Sequence, residues 1–235
     1  MNYSEVKKEL KKEFENFLKP LGYKSKSSSQ GCVFELINQD FEFVLGFAVA
    51  NYNPIYGVGC YIQIIPYKIE KVREFLFDNE GGNAIASNIG NYFNELNYRY
   101  KIQTQEDVEE WGKIVRKFYE EYAVPFFEKY NTIDAIDKLL NDSPTEKVIY
   151  CDDLGWRIIK GLIAAKLNNN TKYNELRDYY KREVESKFQG YFMFEKCMKT
   201  IDFLDSHNQE ELLKIAVPRY PDGPDGPDGS DMKVN

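Results

Sequence analysis

Apolar residues first recur at helical spacing. Val6, Leu10, Phe14, Phe17 and Leu18 fall on one stripe and predict an amphipathic helix over residues 4–19. Ser4 stands where a cap is expected, Glu15 and Lys19 form a favourable i, i+4 pair, and Pro20 and Gly22 supply the stop. The period then drops to two. Cys32, Phe34 and Leu36 alternate with Val33, Glu35 and Ile37. Phe41, Phe43, Leu45, Phe47 and Val49 form one strongly apolar face, with Glu42, Val44, Gly46, Ala48 and Ala50 on the other. Asn38-Gln39-Asp40 and Asn51 to Pro54 read as turns. Tyr56, Val58, Cys60, Ile62 and Ile64 continue the alternation until Pro66. The pattern is an antiparallel meander with one face in need of a cover, and the first helix is the natural one.

Between residues 67 and 97 the pattern is mixed. Ile69, Val72, Phe75 and Leu76 suit a short helix, and Glu80-Gly81-Gly82-Asn83 suits a loop. Ile85, Ile89, Phe93 and Leu96 have helical spacing weakened by Gly90 and several asparagines. Tyr98, Tyr100 and Ile102 against Arg99, Lys101 and Gln103 predict one more half-buried strand. From Thr104 the chain turns helical. Thr104 and Asp107 resemble a capping box, and Val108, Trp111, Val115, Phe118 and Tyr122 carry the stripe up to Pro125, which must kink or end the helix. Further helices are expected at about 132–140, 153–167, 172–188, 191–205 and 208–216, packed antiparallel through short links. No tetratricopeptide-type repeat recurs in them.

The fold expected is therefore α+β: an antiparallel sheet covered by an N-terminal helix over residues 1–103, then a helical half over 104–216, with one fused domain as the alternative. Residues 217–235 contain Pro-Asp-Gly three times and read as a flexible low-complexity tail outside the fold argument.

Composition narrows the chemistry. The 235 residues carry 31 Lys+Arg against 38 Asp+Glu, a net charge of −7. That balance argues against a nucleic-acid partner held by phosphate contacts, because counterion release needs clustered cations. The first residues form a charged helix where a signal peptide would be apolar, and no apolar run is long enough for a membrane span, so a cytoplasmic protein without membrane contact is expected. Cys32, Cys60, Cys151 and Cys197 are far apart and predict neither a disulfide framework nor a zinc site. The chain has one histidine, so any Ser–His or Cys–His pair must use His207, which sits where it complements a helix C-terminus. Asp202, Asp205 and His207 are the one nearby Asp/His group. The aspartates of the tail repeat at every third residue, unlike a calcium loop. Gly57-Val58-Gly59 lies inside a strand and reads as a bulge or a close approach rather than a phosphate loop. No cofactor and no metal are expected.

The remaining chemistry gathers at one helix start. Asp152 and Asp153 precede Trp156 and Arg157. Buried together the two carboxylates could do acid–base work; otherwise one caps the helix and the other favours its positive end. Arg157 and Lys160 read as a solvated face. Asp152, Asp153, Trp156 and Arg157 are the partner-binding candidates. The chain is also rich in aromatics, with 18 Tyr and 16 Phe, which suits a recognition surface.

The run from Val6 through Phe17-Leu18-Lys19-Pro20-Leu21-Gly22-Tyr23-Lys24 resembles the opening of a bacterial domain-of-unknown-function family, in which a helix ends at an "LKPLGF"-like motif before a strand meander. Tyr23 stands in place of its Phe. Residues 102–130, with Val124-Pro125-Phe126-Phe127, are similar as well. Some members are immunity- or defence-associated, so the resemblance implies a cytoplasmic binding role. The functional expectation is a non-enzymatic protein-binding module, immunity-like or defence-associated. Its acidity would steer it onto a basic protein partner. The alternatives are a carboxylate-dependent enzyme and a helical scaffold.

Overall fold

The computed structural model describes residues 1–78, 85–95, 97–151 and 153–217. Helix α1 (Tyr3–Leu18) begins one residue before Ser4. Its cap is Asn2, whose side chain accepts from the Glu5 N–H while the Glu5 carboxylate accepts from the Asn2 N–H. Gly22, at φ 90°, ends the short 3-10 turn Lys19–Leu21 and releases the chain into the sheet.

The sheet is antiparallel throughout. Strands β1 (Lys24–Ser27), β2 (Gly31–Ile37), β3 (Phe41–Tyr52) and β4 (Ile55–Pro66) follow one another in space. Two short strands share the far edge of β4: β5 (Ile85–Asn88) pairs with Tyr61 to Ile64, and β6 (Tyr100–Ile102) pairs with Tyr56 to Val58. The register confirms the two faces expected from the alternation. Phe34, Leu45 and Ile62 stand in one row, and Cys32, Phe47 and Cys60 in the next. Strand β1 has no apolar period; its Lys-Ser-Lys-Ser sequence forms a polar edge strand paired to β2. Residues 85–93, expected as part of a helix, divide into β5 and the short helix α3 (Ile89–Phe93), because Asn88 caps the helix by accepting from the Asn91 N–H. Leu96 and the 80–83 loop lie outside the described residues. The register passes through Gly57 and Gly59 without a bulge.

Helix α1 lays Val6, Leu10, Phe14 and Leu18 on the inner face, where the Phe14 ring lies 4.9 Å from Phe47 and 5.5 Å from Phe34. Helix α4 (Gln105–Phe118) packs against α1 and β6 and carries the capping box expected from Thr104 and Asp107. Its Trp111 stacks on Tyr100 at 5.2 Å, with the indole N–H buried without an acceptor among the described residues. Pro125 does not end the helical run. A π-helical turn (Tyr119–Ala123) widens the helix just before it, and α5 (Val124–Lys129) starts with the proline in its first turn, where no N–H is needed.

The helical half is built around α7 (Leu154–Leu167), in which every residue but Leu154 and Lys166 is buried. Around it stand α2 (Tyr67–Phe77), α6 (Ile133–Asn141), α8 (Tyr173–Lys187), α9 (Phe192–Ser206) and α10 (Gln209–Ile215). One contiguous cluster of buried side chains runs from Val6 to Ala216, across position 103. Tyr150 accepts from the Ala86 N–H at 2.9 Å, which fastens the segment before α7 to the outer edge of β5. No helix among the described residues is long and apolar enough to cross a membrane. Of the expected tail, residues 218–235 lie outside the described residues.

Candidate functional site

Asp153, Trp156 and Arg157 meet at the start of α7, and each has a defined place. Asp153 is the N-cap, accepting from the Trp156 N–H at 3.0 Å. Asp152 lies outside the described residues. The Trp156 indole packs edge-on against Phe77 of α2 at 6.3 Å. Arg157 points the other way and is 3% exposed. Its Nε and Nη2 donate to the Leu140 carbonyl at 3.0 and 2.8 Å, Nη2 also reaches the Ser143 carbonyl at 2.9 Å, and Nη1 donates to the Glu146 carbonyl. The guanidinium thus gathers the orphan carbonyls at the C-terminal end of α6.

Lys160, 2% exposed, pairs with Glu70 of α2 at 2.6 Å, and the same carboxylate takes Arg73 Nε at 2.6 Å. The solvated face expected of Arg157 and Lys160 is therefore interior. A helix apolar on all sides leaves its charges nowhere else to go, so they are held by partners. Asp137 of α6 is 1% exposed and accepts three side-chain amides, from Asn141 at 2.6 Å and from Asn168 and Asn170 at 2.8 Å each. The Asn168-Asn169-Asn170 break between α7 and α8 is a set of donors for one buried carboxylate.

Two shallow clefts of about 240 and 230 Å³ flank the 142–151 segment. Arg157, Tyr179, Glu183 and Lys187 line the first. Three carboxylates elsewhere have their acidity shifted downward. Ser25 and Lys19 hold Glu15 down, the backbone N–H groups of Gln103 and Thr104 hold Asp107, and Lys138 holds Asp134. The four cysteines are free and buried, and burial pushes the Cys197 thiol up to about 12. His207 follows α9, with Nδ1 2.8 Å from the Phe203 carbonyl as its position suggested. Asp205 pairs with Arg177 at 3.3 Å. No group of three or more metal-ligating side chains occurs among the described residues.

The exposed aromatic surface lies beside Trp156 and belongs to residues the sequence reading did not single out. Phe192, Lys196, Lys199 and Phe203 follow one another at four-, three- and four-residue steps along one face of α9. That face looks onto α2. Lys196 Nζ sits 5.2 Å from the Trp156 ring and 5.5 Å from both Phe77 and Phe192. Lys199 Nζ donates to the Leu76 carbonyl at 2.6 Å, and Phe203 packs on Phe75 at 5.6 Å. The lysines bridge the two helices as cations over rings. At the outside of this seam Phe75, Tyr191 and Phe192 are 62%, 67% and 68% exposed. The detectable signal was the spacing in Phe192-x3-Lys196-x2-Lys199-x3-Phe203, which puts aromatics on a stripe with lysines rather than leucines.

No family model matches the chain, and no curated protein or solved structure does either.

Proposed function

We propose that this chain is a non-enzymatic protein-binding module whose partner docks on the aromatic ridge formed by α2 and α9. The observation that carries the reading is the exposure of Phe75, Tyr191 and Phe192 along one seam. Exposed large aromatics spread along one helix seam are costly in water and are the residue type that anchors protein interfaces. Their support is rigid: Trp156 and Phe77 are buried behind them, and Lys196 and Lys199 tie the two helices together. A ridge preorganised in this way loses little side-chain entropy on binding.

The partner proposed is a basic protein, because a net charge of −7 accelerates encounter with a cation-rich surface. The resemblance to a family with immunity- or defence-associated members supports a cytoplasmic, immunity-like role, in which the chain neutralises a product encoded beside its gene. The test is direct titration of those neighbouring gene products with the wild-type chain and with Phe75→Ser and Phe192→Ser. One of them is expected to bind the wild type and to lose affinity at least tenfold with each variant, as for interface anchors worth more than about 1.4 kcal/mol. Binding that survives both substitutions overturns the ridge as the docking site.

A further inference from the structure

The sheet has a second face that the core does not use. Val33, Ile37, Ala48, Ala50 and Ile65 point away from α1 and take no part in the cluster of packed apolar side chains. An outer face of an antiparallel sheet is ordinarily made polar by alternation. Along three rows of this one, glycines lie under planar side chains. A Cβ on Gly46 would meet the Tyr61 ring at 2.4 Å, one on Gly57 the Tyr52 ring at 2.9 Å, and one on Gly59 the Arg99 guanidinium at 2.7 Å. These three glycines stand in successive rows of the β3–β4 ladder, opposite Tyr61, Ala50 and Ala48. Rows two residues apart are about 7 Å apart along the strands. Tyr52 and Arg99 are exposed and Tyr61 is half-buried.

Charge follows the same line. Lys24 on β1, Arg99 before β6 and Lys101 on β6 have no carboxylate within ion-pair distance among the described residues. The acids of this face are occupied: Glu35 pairs with Lys26 at 2.6 Å, and Glu42 accepts the Tyr67 hydroxyl at 3.1 Å. The net charge of the chain argued against a polyanionic partner, but charges beyond about 8 Å are screened at physiological salt, and the local balance of this face is positive. Stacking platforms flanked by cations are the means by which sheet surfaces hold single-stranded nucleic acid.

We propose that the outer face of the sheet binds a single-stranded nucleic acid, with bases on Tyr61, Arg99 and Tyr52 and phosphates on Lys24 and Lys101. This inference is independent of the α2–α9 ridge. The probe is a fluorescein-labelled 12-nucleotide oligouridylate, followed by anisotropy with the full chain at several salt concentrations. Saturable binding is expected at 50 mM salt, with log K falling against log salt at a slope of about −1.4, as for two phosphates neutralised on a single strand. Tyr61→Leu, which keeps Gly46 covered, should weaken binding about tenfold. Lys101→Gln, at an exposed position that cannot unfold the chain, should make the slope shallower by about 0.7. Phe192→Ser should change nothing, which separates this site from the ridge. No saturable binding, equal binding of the duplex, an unchanged slope with Lys101→Gln, or equal binding of a polyglutamate peptide (the mark of an acidic-protein surface) would each overturn the proposal.

Discussion

Arg157 separates two pictures of α7, and its replacement by methionine decides between them. Methionine keeps the apolar stem and removes the guanidinium. If Arg157 stood on a solvated face, the change would cost within about 0.5 kcal/mol. In the structure it removes four hydrogen bonds to three carbonyls. Ser143 and Glu146 lie in exposed positions, so their carbonyls can turn to water. The Leu140 carbonyl cannot; it is buried and keeps only the Tyr180 hydroxyl at 3.1 Å. Two charge-assisted bonds to one buried acceptor are worth roughly 1.5–3 kcal/mol each before partial compensation. A partly buried cation at a helix C-terminus adds up to about 2 kcal/mol. The expected loss is about 4 kcal/mol, in the range found when one member of a buried charged network is deleted. With a urea m-value of about 3 kcal/mol/M, the unfolding midpoint should fall by about 1.3 M at unchanged slope. Lys181→Met, on the exposed side of α8, is the control and should leave the midpoint in place. A loss under about 1 kcal/mol for Arg157→Met would refute the assignment of the guanidinium as the cap of α6.

Asp137→Ala should lower the melting temperature by about 6–12 °C, since it removes three side-chain amide hydrogen bonds at about 1 kcal/mol each and a kilocalorie is worth about 2–4 °C in a chain of this size; the same substitution at exposed Asp202 should not. Gly31→Ala places a Cβ 1.8 Å from the Phe47 carbonyl oxygen, so β2 must move off β3, and chemical denaturation should report a loss of roughly 3 kcal/mol. Asp107 has its acidity held below the usual carboxylate range by the N–H groups of Gln103 and Thr104. Its contribution is therefore full above the unfolded pKa of about 4 and is lost as pH falls through the lower folded value. Melting temperatures of Asp107→Asn between pH 6 and pH 2 should fall less steeply than those of the wild type, and parallel curves would refute the cap.

Where one period governed a segment, the sequence was sufficient. The meander, the inner apolar face, the capping box at Thr104 and the helix sequence after it all follow from alternation or from 3.6-residue spacing. The failures have particular causes. β1 is paired through its backbone alone, so Lys-Ser-Lys-Ser gives no side-chain sign of it. The break between β5 and α3 depends on a capping asparagine inside a run whose isoleucines fit a helix equally well. Arg157 and Lys160 were read by residue type, although Ile158, Ile159, Leu162, Ile163, Ala164 and Ala165 surround α7 with apolar positions. A helix without a polar side implies buried charges with fixed partners, and that inference was open to the sequence. The ridge on α9 was harder to read, because Phe192 and Phe203 look like core residues until the position of α2 shows that the seam between them is bridged by lysines.

The two proposed surfaces arise from opposite ways of ending a core. On α9 the apolar stripe runs beyond the residues that α2 and α7 can cover, so Phe192 and Phe75 remain in water although their neighbours Trp156 and Phe77 do not. On the sheet the core ends at the backbone. The inner face carries Phe34, Phe47 and Leu45, while the outer face of the same strands carries Val33, Glu35, Glu42, Val44 and Gly46. Val44 is 2% exposed, yet it stands outside the contiguous core. Polar residues with strand propensity would have solvated that surface more simply. Glycines that admit a flat tyrosine or arginine lose strand stability relative to them, and the stability of the sheet alone gives no reason for that choice. A planar ligand lying across the three glycine rows gives one, because a position without a Cβ lets a ring or a guanidinium lie close against the strand.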